Sequence, residues 1–271
     1  MPLLSVNGVQ LHVDDTGVPP GRPDAPAIVF GHGLLFSGRM FAGQVERLRG
    51  RYRCVTIDWR GQGRSPAASG GYDMNTLYAD AAAVIESLEA GPVHYVGLSM
   101  GGFVGIRLAA RRPDLVRSLT LLDTSAGPED PEKISKYRLL AKVYRWVGMG
   151  PVRGQVEPIM FGPTFLADPA SKPHVDDWMR VLRGVKRAGM QQAIYGVTDR
   201  EPVTDLLGSI TTPTLVVVGA DDVATPVAKA EALHAGIAGS RLEIVPAAGH
   251  SSTIERPGEL ADLIEAHVDA H

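Results

Sequence analysis

The chain has 271 residues, 44% of them hydrophobic, and a formal net charge of -3 from 27 basic and 30 acidic side chains spread along its length. That size suits one large α/β domain or a core domain with an insertion, and the lack of a basic stripe or acidic tail speaks against nucleic acid and leaves a small molecule as the expected partner. Cys54, the only cysteine, excludes an intrachain disulfide and a thiolate zinc cluster, and the absence of any run of about 18 apolar residues speaks against a membrane span.

The start, Met1-Pro2-Leu3-Leu4, lacks the basic opening and long apolar run of a secretory signal, so a cytoplasmic protein is expected. Leu3 to Val6 and Val9 to Val13 alternate in polarity around Asn7-Gly8, a pair that accepts positive φ, and predict a β-hairpin. After the proline-rich loop Val18 to Pro26, six short apolar runs read as strands buried on both faces: Ala27 to Phe30, Cys54 to Ile57, His94 to Leu98, Leu119 to Leu122, Leu215 to Val218 and Leu242 to Val245. Helical patterns lie between them, including Asn75 to Leu88, capped by Asn75 or Thr76, and Gly101 to Ala110, which ends before Pro113. This alternation predicts a parallel, doubly wound sheet. It stops between about Gly127 and Glu201, where Trp146, Met149, Met160, Phe161, Trp178 and Met179 stand among Gly and Pro punctuation with helical periodicity. Residues 1–126 and 202–271 are therefore read as the core domain, and 127–201 as an inserted helical cap or lid.

The run Tyr95-Val96-Gly97-Leu98-Ser99-Met100-Gly101-Gly102-Phe103 closes an expected strand and opens an expected helix, the setting in which a G-x-S-x-G match carries meaning. A serine on so sharp a turn is strained, and Gly97 and Gly101 remove Cβ groups that would crowd it. The helix N-terminus at Ser99 favours the negative charge that develops in acyl transfer, which makes the Met100 N–H a candidate oxyanion donor. The competing reading is that these glycines only let a helix pack closely on a strand. His32-Gly33-Leu34-Leu35 follows the strand at Ala27 and reaches the same carboxyl edge, so the Leu34 N–H is the candidate second donor. His32 itself is read as fixing this loop.

Serine needs an imidazole to take its proton and return it to the leaving group. The strand at Leu215 runs into Gly219-Ala220-Asp221-Asp222-Val223-Ala224-Thr225-Pro226, and the strand at Leu242 into Pro246-Ala247-Ala248-Gly249-His250. Right-handed crossovers bring both strand ends to the edge that carries Ser99. His250 is the candidate base, because His12, His94, His174, His234, His267 and His271 fall in expected strands, helices, the insertion or the tail. Asp222 is the candidate acid, ahead of Asp221 beside it and of Asp123 after the strand at Leu119; a solvated turn ahead of the next helix is the plain alternative for the Asp pair. The chain order Ser, Asp, His fits a hydrolase.

With these four loops in this order, nearly the whole chain resembles the α/β-hydrolase fold superfamily. The resemblance implies an eight-stranded, mostly parallel sheet flanked by helices, a helical cap inserted after the sixth strand, and no organic cofactor; no metal site is read from the sequence either. Gly97-Leu98-Ser99-Met100-Gly101-Gly102 and Leu121-Leu122-Asp123-Thr124 look like 3-oxoadipate enol-lactonases and related bacterial carboxylesterases. Enol-lactonases often carry Asn-Ser at the place of His32-Gly33, so ester and lactone both stay open. Ser99 stands where haloalkane dehalogenases and most epoxide hydrolases of this fold carry aspartate, which disfavours those chemistries. Leu34-Leu35 departs from the proline of cofactor-free haloperoxidases and perhydrolases and from the His-Gly-Gly-Pro-Gly of proline iminopeptidases.

The expected function is a serine hydrolase cleaving carboxylic esters or lactones through an acyl-enzyme on Ser99. Trp146, Met149, Met160, Phe161 and Trp178 are candidate pocket residues, although aromatics in a small helical cap more often build its own core. Arg60 and Arg64, in Trp59-Arg60-Gly61-Gln62-Gly63-Arg64-Ser65, are read as structural. Two other classes use the same residues: an acyltransferase or perhydrolase, and a ligand-binding module that turns over slowly.

Overall fold

The computed structural model describes residues 3–271; the reading of the chain start at Met1 and Pro2 lies outside the described residues. Leu4–Val6 (β1) and Val9–Leu11 (β2) pair antiparallel around Asn7 and Gly8, whose φ angles of 46° and 74° are those the turn demands. The extended chain continues as Val13–Asp15 (β3), followed by Ala27–Gly31 (β4), Arg53–Ile57 (β5), Val93–Leu98 (β6), Val116–Leu122 (β7), Thr214–Gly219 (β8) and Arg241–Val245 (β9).

β3 to β9 form one seven-stranded sheet in the order β3-β5-β4-β6-β7-β8-β9, parallel except for β3. The eight strands implied by the resemblance are thus seven plus a separate hairpin. The break falls at His12, whose N–H donates to Ser65 Oγ at 2.8 Å and whose carbonyl accepts from Asp58 N–H at 3.0 Å. That residue is bound to the Asp58–Ser65 loop, so the chain crosses from one sheet to the other there.

Both faces of the sheet are covered from β4 to β8, which is why those strands are near-continuous apolar runs. β9, expected from Leu242 to Val245 to be buried on both faces, instead lies at the sheet edge with only Val245 buried. Ile28, Phe30, Val96, Leu98, Leu215 and Val217 pack on one side with Leu48 of Ala42–Leu48 (α1) and with Leu260 and Ile264 near the C-terminus. Val29, Val55, Tyr95, Leu121 and Val216 face the other side, against Met74–Ser87 (α2) and Met100–Arg111 (α3). The cap of α2 is Asp73, whose side chain accepts from Thr76 N–H at 2.9 Å, rather than Asn75 or Thr76. Asn75 instead accepts from Arg107 and Arg111.

Between β7 and β8 the chain is helical: Pro131–Val147 (α4), Arg153–Met160 (α5), Pro163–Ala167 (α6), Lys172–Gly184 (α7) and Arg187–Thr198 (α8). Val227–Gly236 (α9), Ser252–Glu255 (α10) and Pro257–Asp269 (α11) complete the chain. Among the described residues no helix is long and apolar enough to cross a membrane.

The winding reverses at β4, which lies between β5 and β6. Such a switch point opens a crevice at the carboxyl ends of the strands. There α3 sits directly on the end of β4: a Cβ on Gly101 would come within 1.9 Å of the Gly31 carbonyl oxygen. Gly101→Ala should therefore cost about 3 kcal/mol or more in urea denaturation, whereas Gly154→Ala, in α5 with open space around it, should be neutral or stabilise by up to about 1 kcal/mol.

Candidate active site

One residue separates β6 from α3, and it carries the whole reversal: Ser99 has φ 51° and ψ -111°. A non-glycine residue held there costs about 1–3 kcal/mol. Its backbone is fixed on both sides, with the N–H donating to the Leu122 carbonyl at 2.9 Å and the carbonyl accepting from Thr124 Oγ1 at 2.8 Å. The flanking glycines make room for backbone rather than for the serine side chain. A Cβ on Gly97 would meet Gly101 O at 2.4 Å, and one on Gly101 would meet Gly31 O at 1.9 Å. The close-packing reading and the strained-turn reading therefore describe one feature. Ser99 stands at the start of α3, where first-turn N–H groups such as that of Met100 have no partner within the helix.

The loop after β4 lies over this turn, since a Cβ on Gly33 would touch Leu98 Cδ2 at 3.0 Å and Ser99 Cβ at 3.5 Å. Leu35 has φ 69° and is anchored twice: its N–H donates to Gln62 Oε1 at 3.0 Å, and its carbonyl accepts from Trp178 Nε1 at 3.1 Å. Leu34 is thereby held beside Ser99. Gln62, fully buried, also places Nε2 3.8 Å from Met100 Sδ, so one amide spans the segments that carry both candidate oxyanion donors. His32 has no free nitrogen: Nε2 accepts from Trp59 N–H at 3.1 Å, which leaves the proton on Nδ1 to donate to the Gly33 carbonyl at 2.7 Å. Burial lowers its pKa and keeps it neutral.

Asp222 and His250 meet directly, with His250 Nδ1 donating to Asp222 Oδ2 at 2.9 Å. The same carboxylate accepts from Thr225 Oγ1 at 2.6 Å and from the N–H groups of Ala224 and Thr225 at 2.8 and 3.0 Å. Burial alone would raise the Asp222 pKa, but the imidazolium and these donors outweigh it and hold the group ionised. Burial likewise opposes charge on His250, and the Asp222 carboxylate reverses the sign, so the imidazole pKa lies above its ordinary 6.5. Asp123, the competing acid, does not touch His250. Its oxygens accept from Gly219 N–H at 2.8 Å and bond the Ser252 hydroxyl. Full burial, helped by the neighbouring Asp222 charge, pushes its pKa up to about 8. Asp221 is half-buried and its N–H donates to the Ala248 carbonyl.

Ser99 and His250 line one cavity, and among the described residues no other histidine lines it. No hydrogen bond joins their side chains. Burial pushes the Cys54 thiol up to about 12, which removes it as a competing nucleophile.

Of the pocket candidates, Met149 and Met160 line the cavity; Trp146, Phe161 and Trp178 do not. The buried stripe of α4 is Leu140, Ala141 and Tyr144, and Trp146 falls on the opposite face, 76% exposed beside Arg145. Phe161 and Trp178 pack edge to face, 5.5 Å apart, in the core beneath the loop that Trp178 anchors. The sequence reading also missed Glu255. This buried carboxylate accepts from Gly249 N–H at 2.8 Å, Ser251 N–H at 3.2 Å and Gly162 N–H at 3.1 Å, while Ser251 Oγ donates to the Met160 carbonyl at 2.6 Å. It joins the His250 loop to the α5–α6 link.

A doubly wound sheet with a strained serine at its switch point, beside a buried Asp-His pair, defines the α/β-hydrolase class. The chain belongs to the alpha/beta hydrolase family, whose model matches residues 28–263. It is 31% identical to a putative non-heme bromoperoxidase, BpoC, of Mycobacterium tuberculosis, over 92% of this chain and 94% of that relative. The solved enol-lactonase of Burkholderia xenovorans LB400 superposes with a TM-score of 0.89 at 28% identity, covering 99% of this chain and 100% of that one. A thermophilic esterase from Thermogutta terrifontis gives 0.87 at 27% identity, over 100% and 97% of the two chains.

Glu255→Ala would leave its N–H partners without an acceptor. A loss of about 2–3 kcal/mol in chemical denaturation is expected.

Proposed function

We propose that the chain is a serine hydrolase of ester or lactone bonds, with Ser99 as nucleophile, His250 as general base and acid, and Asp222 as its partner. The carrying observation is the 2.9 Å Asp222–His250 pair, whose histidine lines one cavity with a serine strained onto a helix N-terminus. With Nδ1 bound to Asp222, Nε2 is the nitrogen left to act on Ser99, through a hydrogen bond that closes in the reacting complex. The relatives named enol-lactonase and esterase support these bonds as the substrate.

In the first half, Ser99 Oγ attacks the acyl carbon as its proton passes to His250. The oxyanion is held by the N–H groups of Leu34 and Met100. Collapse breaks the C–O bond, the leaving oxygen takes the proton from His250, and the acyl group stays on Ser99. In the second half water gives a proton to His250, attacks the ester and frees the acid, and Ser99 recovers its proton. Asp222 stabilises the imidazolium in both halves. Residues 127–201 act as a cap whose helices supply much of the apolar wall. The bromoperoxidase relative supports a second reading, in which hydrogen peroxide replaces water on the same acyl-enzyme.

Ser99→Ala should lower kcat on p-nitrophenyl butyrate or a small lactone by about 10⁴ to 10⁶. Near-wild-type turnover in that variant would refute the mechanism, and a single stoichiometric burst from the wild type would point to a slow-turnover binding module.

The pH profile follows from the sign of the His250 shift. A base whose pKa is raised stays protonated, and so inactive, to higher pH; the acid limb of kcat/KM should therefore lie above pH 6.5. Asp222→Asn should lower kcat by about 10⁴ and move that limb down. Asp123→Asn should stay within about tenfold of wild type, because a carboxyl with a pKa of about 8 is mostly protonated at neutral pH and asparagine resembles that form.

A further inference from the structure

The charge inside the cavity bears on which ester or lactone it accepts, an inference that rests on the function proposed above. Tyr137, Leu140, Tyr144, Val152, Val156 and Ile159 give it a mainly apolar wall. Apart from His250, the charged side chains lining it are Glu129 and Arg200, one of each sign. They are engaged with each other: Arg200 Nη1 donates to Glu129 Oε2 at 2.9 Å, and the two side chains are only 2% and 9% exposed.

Most of the remaining donors and acceptors of the pair are also taken, and only Arg200 Nη2 has no hydrogen-bond partner. Arg200 donates from Nε to the Gly127 carbonyl at 3.1 Å and from Nη1 to the Val197 carbonyl at 2.9 Å, and its guanidinium lies 4.4 Å from the centre of the Phe103 ring. Glu129 Oε1 accepts from Asp130 N–H at 3.0 Å. Glu129 precedes α4 and Arg200 follows α8, so the pair is set by both ends of the helical insertion rather than by free surface side chains. A substrate carboxylate entering this cavity would lose its water and find no cation without a counter-charge, because the guanidinium of Arg200 is already paired with Glu129. Drawing Arg200 away from Glu129 would strand the Glu129 charge in a buried site, and approaching Nη2 with the pair intact would set the incoming carboxylate beside the Glu129 charge.

We propose that the site takes uncharged esters or lactones with an apolar acyl part and rejects those that retain a free carboxylate, because Glu129 holds the guanidinium of Arg200 neutralised. A lactone of a dicarboxylic acid keeps one free carboxylate after ring closure and falls in the rejected class. This sets the chain apart in substrate from what a 3-oxoadipate enol-lactonase acts on.

The test compares kcat/KM for p-nitrophenyl hexanoate and mono-p-nitrophenyl adipate, matched in length and differing in the terminal carboxylate, in wild type, Ser99→Ala and Glu129→Gln. Wild type should prefer hexanoate by at least about 100-fold. Glu129→Gln should narrow that gap at least about tenfold, chiefly through a lower KM for the adipate ester, since Arg200 then meets the incoming carboxylate without a rival. A Ser99-dependent wild-type ratio near one, or in favour of adipate, overturns the proposal and leaves the serine hydrolase intact. An unchanged ratio in a folded Glu129→Gln overturns the role given to Glu129. The wild-type ratio decides the substrate class whether or not that variant folds. Hydrolysis of both esters that persists in Ser99→Ala would remove the proposed function, and this inference with it.

Discussion

A single residue reverses the chain between β6 and α3, and the rest of the site is arranged around the space that reversal needs. Ser99 reaches φ 51° because three segments press on the turn: the end of β4 at Gly31, the end of β7 at Leu122, and the Thr124 hydroxyl beyond it. Tyr95 adds a bond from its hydroxyl to the Gly101 carbonyl at 3.2 Å. Strain of this kind persists only where the surroundings over-determine it. The contacts that impose it also bring the Gly33–Leu35 loop against Ser99, so the proposed nucleophile and both candidate oxyanion donors share one cause.

Around the imidazole the constraint is electrostatic. Asp123, Asp222 and Glu255 are all buried near His250, yet burial does not treat them alike. Asp222 collects two backbone donors, a hydroxyl and the imidazole, and stays ionised. Asp123 and Glu255 have their pKa values raised, by burial first in each case. The donor set, more than proximity, selects the carboxylate that pairs with His250. Glu255 then ties the His250 loop to the α5–α6 link, so the position of His250 and the docking of the helical insertion depend on one side chain.

The buried strands were legible because a strand covered on both faces has to be apolar throughout, and Ser99 and Asp222 were legible because each follows such a strand; His250 follows the edge strand β9, of which only Val245 is buried. The hairpin turn at Asn7-Gly8 announced itself through residues that tolerate positive φ. What local pattern cannot carry is a bond to distant backbone. For Trp178 the sequence offers pocket lining or cap core and cannot show its partner, a carbonyl 143 residues away. Gln62 and Glu255 look like ordinary polar loop and helix residues until their acceptors and donors are placed. The facing of α4 was open as well: its stripe at Leu140, Ala141 and Tyr144 leaves Trp146 in solvent, an outcome set by the packing of α4 on α8 rather than by hydrophobicity. The eighth strand fails for a similar reason, since the two bonds that stop the sheet at His12 come from a loop some fifty residues on.

The central claim is that the acyl group is carried on Ser99. The most direct measurement treats the protein with a p-nitrophenyl alkylphosphonate, which mimics the tetrahedral intermediate, and follows both intact mass and remaining esterase activity. The account predicts one phosphonyl adduct per chain, located to the peptide bearing Ser99, with activity lost in proportion to labelling. Full activity after excess reagent, or inactivation with the adduct on another residue, would contradict it.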